Sequence, residues 1–203
     1  PNIVEVGVVC QVLKEIQQEN RGNKGCCCWI SLACRNNKEL NDGSSVEAAL
    51  DVIRSYDPDC EWISAIGVNC CDSRYIADLV ELLAKNALET DDNDNTSKAT
   101  STSRGIAVYP NSGEIWDGSQ KEWKDGSGTT DDDFVRRLVA TVRSTYNTWK
   151  DKRSNGSLYS MPRLVLGGCC RTNPATISIL REHIDSLERE IKHKYVAGFN
   201  QPH

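Results

Sequence analysis

Four short, unbroken apolar runs constrain this chain more than any other feature. They lie at residues 27–34, 62–69, 105–109 and 163–167, and stretches with helically spaced apolar residues separate them. A strand that is apolar along its whole length asks for cover on both faces, as in parallel strands joined by helical crossovers. The helical stretches run over 3–18, to about 55 from a start near 45, over 73–87, from 130 to about 150 and from 173 to about 194. The first reads as amphipathic, with Val4, Val8, Leu13 and Ile16 near one face. Ser44-Ser45-Val46-Glu47 has the form of a capping box and opens the second. Thr130 followed by Asp131, Asp132 and Asp133 places a cap and negative charge where a helix dipole favours them. Asn173-Pro174 reads as an N-cap and first helical residue. Helix and strand thus alternate from end to end, which predicts an α/β fold with right-handed crossovers. Four strands cannot close an eight-stranded barrel, so they form an open sheet or half of a (β/α)8 barrel. The chain opens on a helix with no strand feeding it, which points to a piece of a larger domain.

Two segments fall outside this alternation. Residues 89–104 are polar and low in complexity, and they read as a flexible insertion without enough apolar surface to pack. Residues 112–128 are rich in Gly, Asp and Ser and read as a long loop. The net charge of −5 and the lack of a basic stripe argue against a nucleic-acid partner. No stretch reaches the apolar length of a membrane span, and the opening Pro1-Asn2-Ile3-Val4-Glu5 lacks a basic leader. The ten cysteines bunch as Cys26-Cys27-Cys28, Cys70-Cys71 and Cys169-Cys170. In a chain full of amphipathic stretches this suits free thiols in a reducing compartment, the cytoplasm, better than a disulfide scaffold.

Three polar motifs fall at one structural position, the carboxyl ends of successive strands. They are Gly67-Val68-Asn69-Cys70, Tyr109-Pro110-Asn111-Ser112-Gly113-Glu114 and Gly167-Gly168-Cys169-Cys170-Arg171-Thr172. Parallel α/β folds place their active sites at these ends. Three thiolates with one open position make a catalytic zinc site, whereas a structural site wants four Cys or His ligands. Soft sulfur donors select zinc over magnesium or calcium. Gly167 and Gly168 would let the backbone turn tightly beside adjacent thiols. On spacing alone, a metal site and ordinary buried cysteines both remain open.

The same motifs, in the same order and spacing, resemble those of the homocysteine S-methyltransferases, with the nearest likeness to enzymes that use S-methylmethionine. The resemblance runs from Pro1-Asn2 through Trp29-Ile30-Ser31, Asp42-Gly43 and Glu122-Trp123 to Pro174. It implies a (β/α)8 TIM barrel to which residues 1–203 contribute strands 5–8 with their helices, as the carboxyl-terminal part of one homocysteine-binding domain. It implies one zinc per chain on Cys70, Cys169 and Cys170, with Cys71 left without a role. It implies a substrate pocket drawing on Asn69, Asn111, Ser112, Gly113, Glu114 and Gly168. The implied activity is zinc-dependent methyl transfer from a sulfonium donor, S-methylmethionine or S-adenosylmethionine, to homocysteine, giving methionine, with no general base beyond the zinc centre. The family's amino-terminal segments that help hold homocysteine have no counterpart here, so the chain is expected to be inactive or unstable alone. Alternatives are a zinc-binding or thiol-rich interaction fragment and the homocysteine domain of a cobalamin-dependent methionine synthase.

The remaining reactive residues have plainer readings. Consecutive side chains on a strand point to opposite faces, so Cys26, Cys27 and Cys28 cannot converge on one ion. Cys10, Cys34 and Cys60 read as small hydrophobes, Trp29 and Trp62 as core, and His183 and His193 as solvated. Asp91, Asp92 and Asp94 lack the glycine and terminal glutamate of a calcium loop.

Overall fold

The computed structural model describes residues 2–19, 28–88, 104–154 and 162–199. Its elements are α1 (Ile3–Glu19), β1 (Cys28–Ala33), α2 (Val46–Tyr56), β2 (Ile63–Asp72), a 3-10 turn (Ser73–Tyr75), α3 (Ile76–Leu88) and β3 (Gly105–Asn111). A two-residue hairpin, β4 (Trp116–Asp117) and β5 (Glu122–Trp123), follows, then α4 (Asp131–Ser154), β6 (Leu164–Leu166) and α5 (Pro174–Phe199). Every strand and helix expected from the apolar pattern is present. Residues 89–103, Cys26, Cys27 and His203 lie outside the described residues. Arg104, the last residue of the polar stretch, is described and is buried.

The four long-range strands form one parallel sheet in the order β1-β2-β3-β6. Side chains alternate across it. Ile30, Leu32, Ile66, Val68, Ile106 and Val108 point to one face and join a single hydrophobic cluster with Val6, Leu50, Leu79, Phe134 and Leu180 from the five helices. The opposite face carries Trp29, Ala65, Gly67, Ala107 and Val165, with Trp29 57% and Val165 52% exposed. Strand order therefore follows chain order and the helices lie on one face. A doubly wound sheet would reverse its order and carry helices on both faces. Trp29, expected in the core, stands on the bare face instead.

That bare face is crowded where β2 passes β3. A Cβ added at Gly67 would run into the Ala107 carbonyl and come within 2.9 Å of the Ala107 Cβ. The strands coil over each other too closely for a side chain at this point, so glycine is a steric requirement.

Three local expectations shift. The Val4, Val8 and Ile16 stripe of α1 does not face the core, since Val4 is 71% exposed and Val8 and Ile16 are exposed as well. The helix packs on α2 through Val6 and Cys10, with Leu13 partly buried. Valines occur all round this helix, so apolar spacing alone could not select the buried face. The cap of α2 is Ser45, whose hydroxyl accepts from the Ala48 N–H at 3.4 Å. Ser44 instead donates to Asp42 at 2.6 Å, because the bridges Cys34 to Leu40 and Glu39 to Ser45 keep the chain extended one residue further. Within 112–128, Trp116 pairs with Trp123 across the hairpin, ring centroids 5.3 Å apart.

The amino ends of β2 and β3 are held by a buried ion pair. Asp57 and Arg104 are each 2% exposed, with Nη2 to Oδ2 at 3.4 Å. The Asp57 carboxylate also accepts the N–H groups of Glu61 at 2.9 Å, Trp62 at 3.3 Å and Ile63 at 2.8 Å. Arg104 donates through Nε to the Ile63 carbonyl at 3.2 Å and through Nη2 to the Asp57 carbonyl. Each charge thus has several hydrogen bonds, which is what makes its burial tolerable. Asp57→Ala leaves the guanidinium buried without its partner and is expected to destabilise the fold by about 3–5 kcal/mol. Chemical denaturation checks this, and a loss below about 1 kcal/mol, the worth of a surface pair, would contradict it.

Candidate metal centre

At the carboxyl end of the sheet, β2 and β6 flank β3 and do not touch. Neighbouring strands lie about 4.8 Å apart, so the two are separated by roughly 10 Å. The Sγ atoms of Cys70, after β2, and Cys169, after β6, are nevertheless 2.8 Å apart. Cys169 and Cys170 lie 3.9 Å apart, and all three sulfurs fall within 4.8 Å of one another. No other group of three or more Cys, His, Asp or Glu converges in this way among the described residues.

Backbone irregularity aims these thiols. The β2–β3 register shifts between Asn69 and Asp72, which inserts one extra residue into β2. Cys70 takes φ +50 at this bulge, a left-handed conformation costing a side-chain-bearing residue about 1–2 kcal/mol. The bulge sends Cys70 to the rim and drops Cys71 into the hydrophobic cluster, where it is 1% exposed. Arg171, just past the other two thiols, also has a left-handed φ of +63. A Cβ at Gly168 would collide with the Thr172 side chain, so glycine is required here too. Thr172 in turn donates its hydroxyl to the Cys169 carbonyl at 2.7 Å.

Electrostatics divide the thiols into two groups. Burial pushes Cys10 and Cys34 up to about 11 and raises Cys71 further still. At the rim, Cys70 is pushed up to about 12, first by burial and then by its hydrogen bond to Cys169. Burial also works against ionisation of Cys169, but hydrogen bonds from Cys70 and from the Cys170 side chain and backbone outweigh it and hold its thiol below the ordinary value. Of the two, Cys169 therefore loses its proton more readily than Cys70.

The loop after β3 fills the space between the two thiol-bearing strand ends. The Cys169 N–H donates to the Pro110 carbonyl at 2.8 Å, and the Ser112 N–H to the Cys170 carbonyl at 3.1 Å. Pro110 lies within β3, where its missing donor falls opposite the break in the β2 ladder. Asn111 Oδ1 accepts the Gly113 N–H at 2.8 Å, and Gly113 takes φ +82. The Ser112 carbonyl accepts from Thr129 N and Oγ1, both at 2.8 Å.

The structure thus brings Cys70, Cys169, Cys170, Gly168 and residues 111–114 to one rim, with Asn69 on β2 hydrogen-bonded to Cys70. Sequence reasoning missed Asp72, Arg74 and Arg171. Asp72 caps the 3-10 turn through Arg74 N at 2.8 Å and pairs with the Arg74 guanidinium. An Asp one residue before a helical start was the available signal. Arg171 lies inside the Gly167–Thr172 motif, and nothing local in the sequence marks its partner, Glu114. His183 is exposed and bonds only its own helix, Nδ1 to the Ile179 carbonyl at 2.9 Å.

Known proteins place this geometry in context. The family profile described as homocysteine S-methyltransferase matches residues 1–184. Selenocysteine methyltransferase of Astragalus bisulcatus is 34% identical over 149 residues, which cover 73% of this chain and 33% of that protein. Homocysteine S-methyltransferase 2 of Arabidopsis thaliana is 29% identical over 184 residues, covering 91% of this chain and 43% of that protein. The homocysteine methyltransferase MmuM of Escherichia coli, in its metallated form, superposes with a TM-score of 0.50 at 20% identity, over 90% of this chain and 42% of its own. Its oxidised form gives 0.51 with the same coverage. The chain spans less than half the length of these relatives.

In the metal-free protein at pH 8, alkylation is expected to reach Cys169 and the exposed Cys170 well before Cys10, Cys34 and Cys71. Mass-spectrometric mapping over time reads this order. Labelling of Cys10 or Cys34 as fast as Cys169 in folded protein would contradict it.

Proposed function

The chain belongs to the homocysteine S-methyltransferase family, and we propose that it forms the carboxyl-terminal half of a (β/α)8 barrel that transfers a methyl group from a sulfonium donor to homocysteine. The observation that carries this reading is the convergence of three thiols, from two strands that do not touch, at one rim. The bare sheet face, with Trp29 and Val165, and the exposed valine stripe of α1 are surfaces that the other half of such a barrel would cover.

The donor set fits zinc. Two sulfurs on one tetrahedral zinc, each about 2.3 Å from it, lie about 3.8 Å apart. Cys169 and Cys170, at 3.9 Å, already meet this separation. Cys70 and Cys169, at 2.8 Å, would open by about 1 Å, a small adjustment of two side chains. Cys70, Cys169 and Cys170 would hold the metal, and Asn69 supports Cys70 through its hydrogen bond. Zinc bound there supplies an open coordination position that keeps the substrate thiol deprotonated near neutral pH.

The chain's own residues do the rest. Two carboxylates near the rim, Asp72 and Glu114, are neutralised by Arg74 and Arg171, so the negative charge available to a cationic donor belongs to the thiolates. Residues 111–113 and Gly168 offer backbone and small side chains beside the sulfurs and line one wall of a homocysteine pocket. Their turns are fixed by internal hydrogen bonds, so the reacting sulfur would be oriented without reorganisation, the source of much of an enzyme's gain from proximity. S-methylmethionine and S-adenosylmethionine both have the sulfonium chemistry this charge favours.

No described helix is long and apolar enough to cross a membrane. The eight described cysteines are all free, which fits a reducing compartment, and we place the protein in the cytoplasm on that ground. A second reading draws on the bare sheet face: the described structure holds the thiols but only one wall of a pocket, which alone makes a zinc-binding module.

Cys70→Ala in the full-length polypeptide is expected to reduce zinc from about one per chain to near zero and to abolish methyl transfer. Metal analysis after dialysis checks it. Stoichiometric zinc retained by the variant would refute the ligand assignment.

A further inference from the structure

The rim thiols approach from opposite sides of β3, and nothing in the strand ladders joins those two sides directly. What joins them is the loop of residues 111–114, gripped by one arginine from each side. Arg74, four residues after Cys70, binds both Asp72 oxygens through Nε, at 2.9 and 2.8 Å, and reaches the Gly113 carbonyl through Nη2 at 3.4 Å. Arg171, next to Cys170, donates through Nε to Glu114 Oε2 and through Nη2 to Oε1 at 3.5 Å. Between them, the Ser112 N–H is bonded to the Cys170 carbonyl at 3.1 Å. From this arrangement we infer that Glu114 and Arg171 are positioning residues that set the distance of Cys169 and Cys170 from Cys70, and hence tune metal affinity. The inference rests on the metal-centre reading above.

Three features separate this pair from an ordinary surface ion pair, which contributes little. It engages both ends of the Glu114 carboxylate, a geometry that fixes orientation as well as distance. Glu114 is largely shielded, with 18% of its side chain exposed. Arg171 adopts its left-handed φ of +63 while making the pair, so the bond offsets backbone strain directly beside the thiols. Partners outside the ligand set typically change metal affinity by about 10- to 100-fold when removed.

The test uses the full-length polypeptide and compares wild type, Glu114→Gln, Arg171→Gln and the charge-reversed double variant Glu114→Arg/Arg171→Glu. Zinc affinity is read by competition with a chelator, and geometry by the sulfur-to-metal absorption bands of the cobalt(II)-substituted protein. Each single variant is expected to bind zinc about 10-fold or more weakly with shifted cobalt bands, and the double variant to recover most of the loss. Circular dichroism of the metal-free proteins is expected to stay unchanged. Wild-type zinc affinity and cobalt bands in both single variants would overturn the brace alone. So would an Arg171→Gln variant that raises the KM for homocysteine while leaving zinc affinity intact, since Arg171 would then be a substrate ligand. A wild-type protein that takes up no zinc would overturn the metal centre and the brace together.

Discussion

The thiol cluster depends on one extra residue in β2, the bulge between Asn69 and Asp72. Below it, where Gly67 passes Ala107, β2 and β3 run so close that there is no room for a side chain. Strand spacing alone sets β2 and β6 roughly 10 Å apart, so the thiols meet only because the chain leaves the regular strand path at Cys70 and after β6. The bulge at Cys70 completes the arrangement by reversing the faces of Cys70 and Cys71. One thiol reaches the rim and the other fills the core, although the two are adjacent in sequence.

The two ends of the sheet are built differently. At the amino ends of the strands, Asp57 and Arg104 are buried and tie β2, β3 and the end of α2 together through hydrogen bonds. Left-handed backbone occurs at both ends, at Cys60 before β2 and at Cys70 and Arg171 beyond the strands, where side chains are half exposed. Strain of about 1–3 kcal/mol per residue persists only where the surroundings over-determine it. Here the surroundings are the hydrophobic cluster beneath Cys71 and the arginine-gripped loop above. A buried ion pair at one end and exposed polar groups at the other is the division expected of a parallel α/β sheet.

Much of this was legible in the sequence. The four apolar runs marked the four parallel strands, and Thr130 and Asn173 marked helix starts that the structure keeps. Their place at strand ends put Cys70, Cys169 and Cys170 at one rim, and the family resemblance, not spacing, singled them out as a set. What was not legible depended on long-range competition. α1 has valines on every side, so its buried face is chosen by α2 and not by its own spacing. Ser44 and Ser45 are chemically equal caps, and the bridge to Glu39 decides between them. The hairpin strands are two residues long, too short to show a period. The pairing of Glu114 with Arg171 spans 57 positions and has no local signal.

Zinc K-edge X-ray absorption of the full-length polypeptide, with and without homocysteine, tests the central claim most directly. Three protein sulfurs at about 2.3 Å are expected, with a fourth sulfur on adding homocysteine. A sulfur count that does not change with homocysteine would contradict the methyltransferase reading and leave a zinc-binding module in its place.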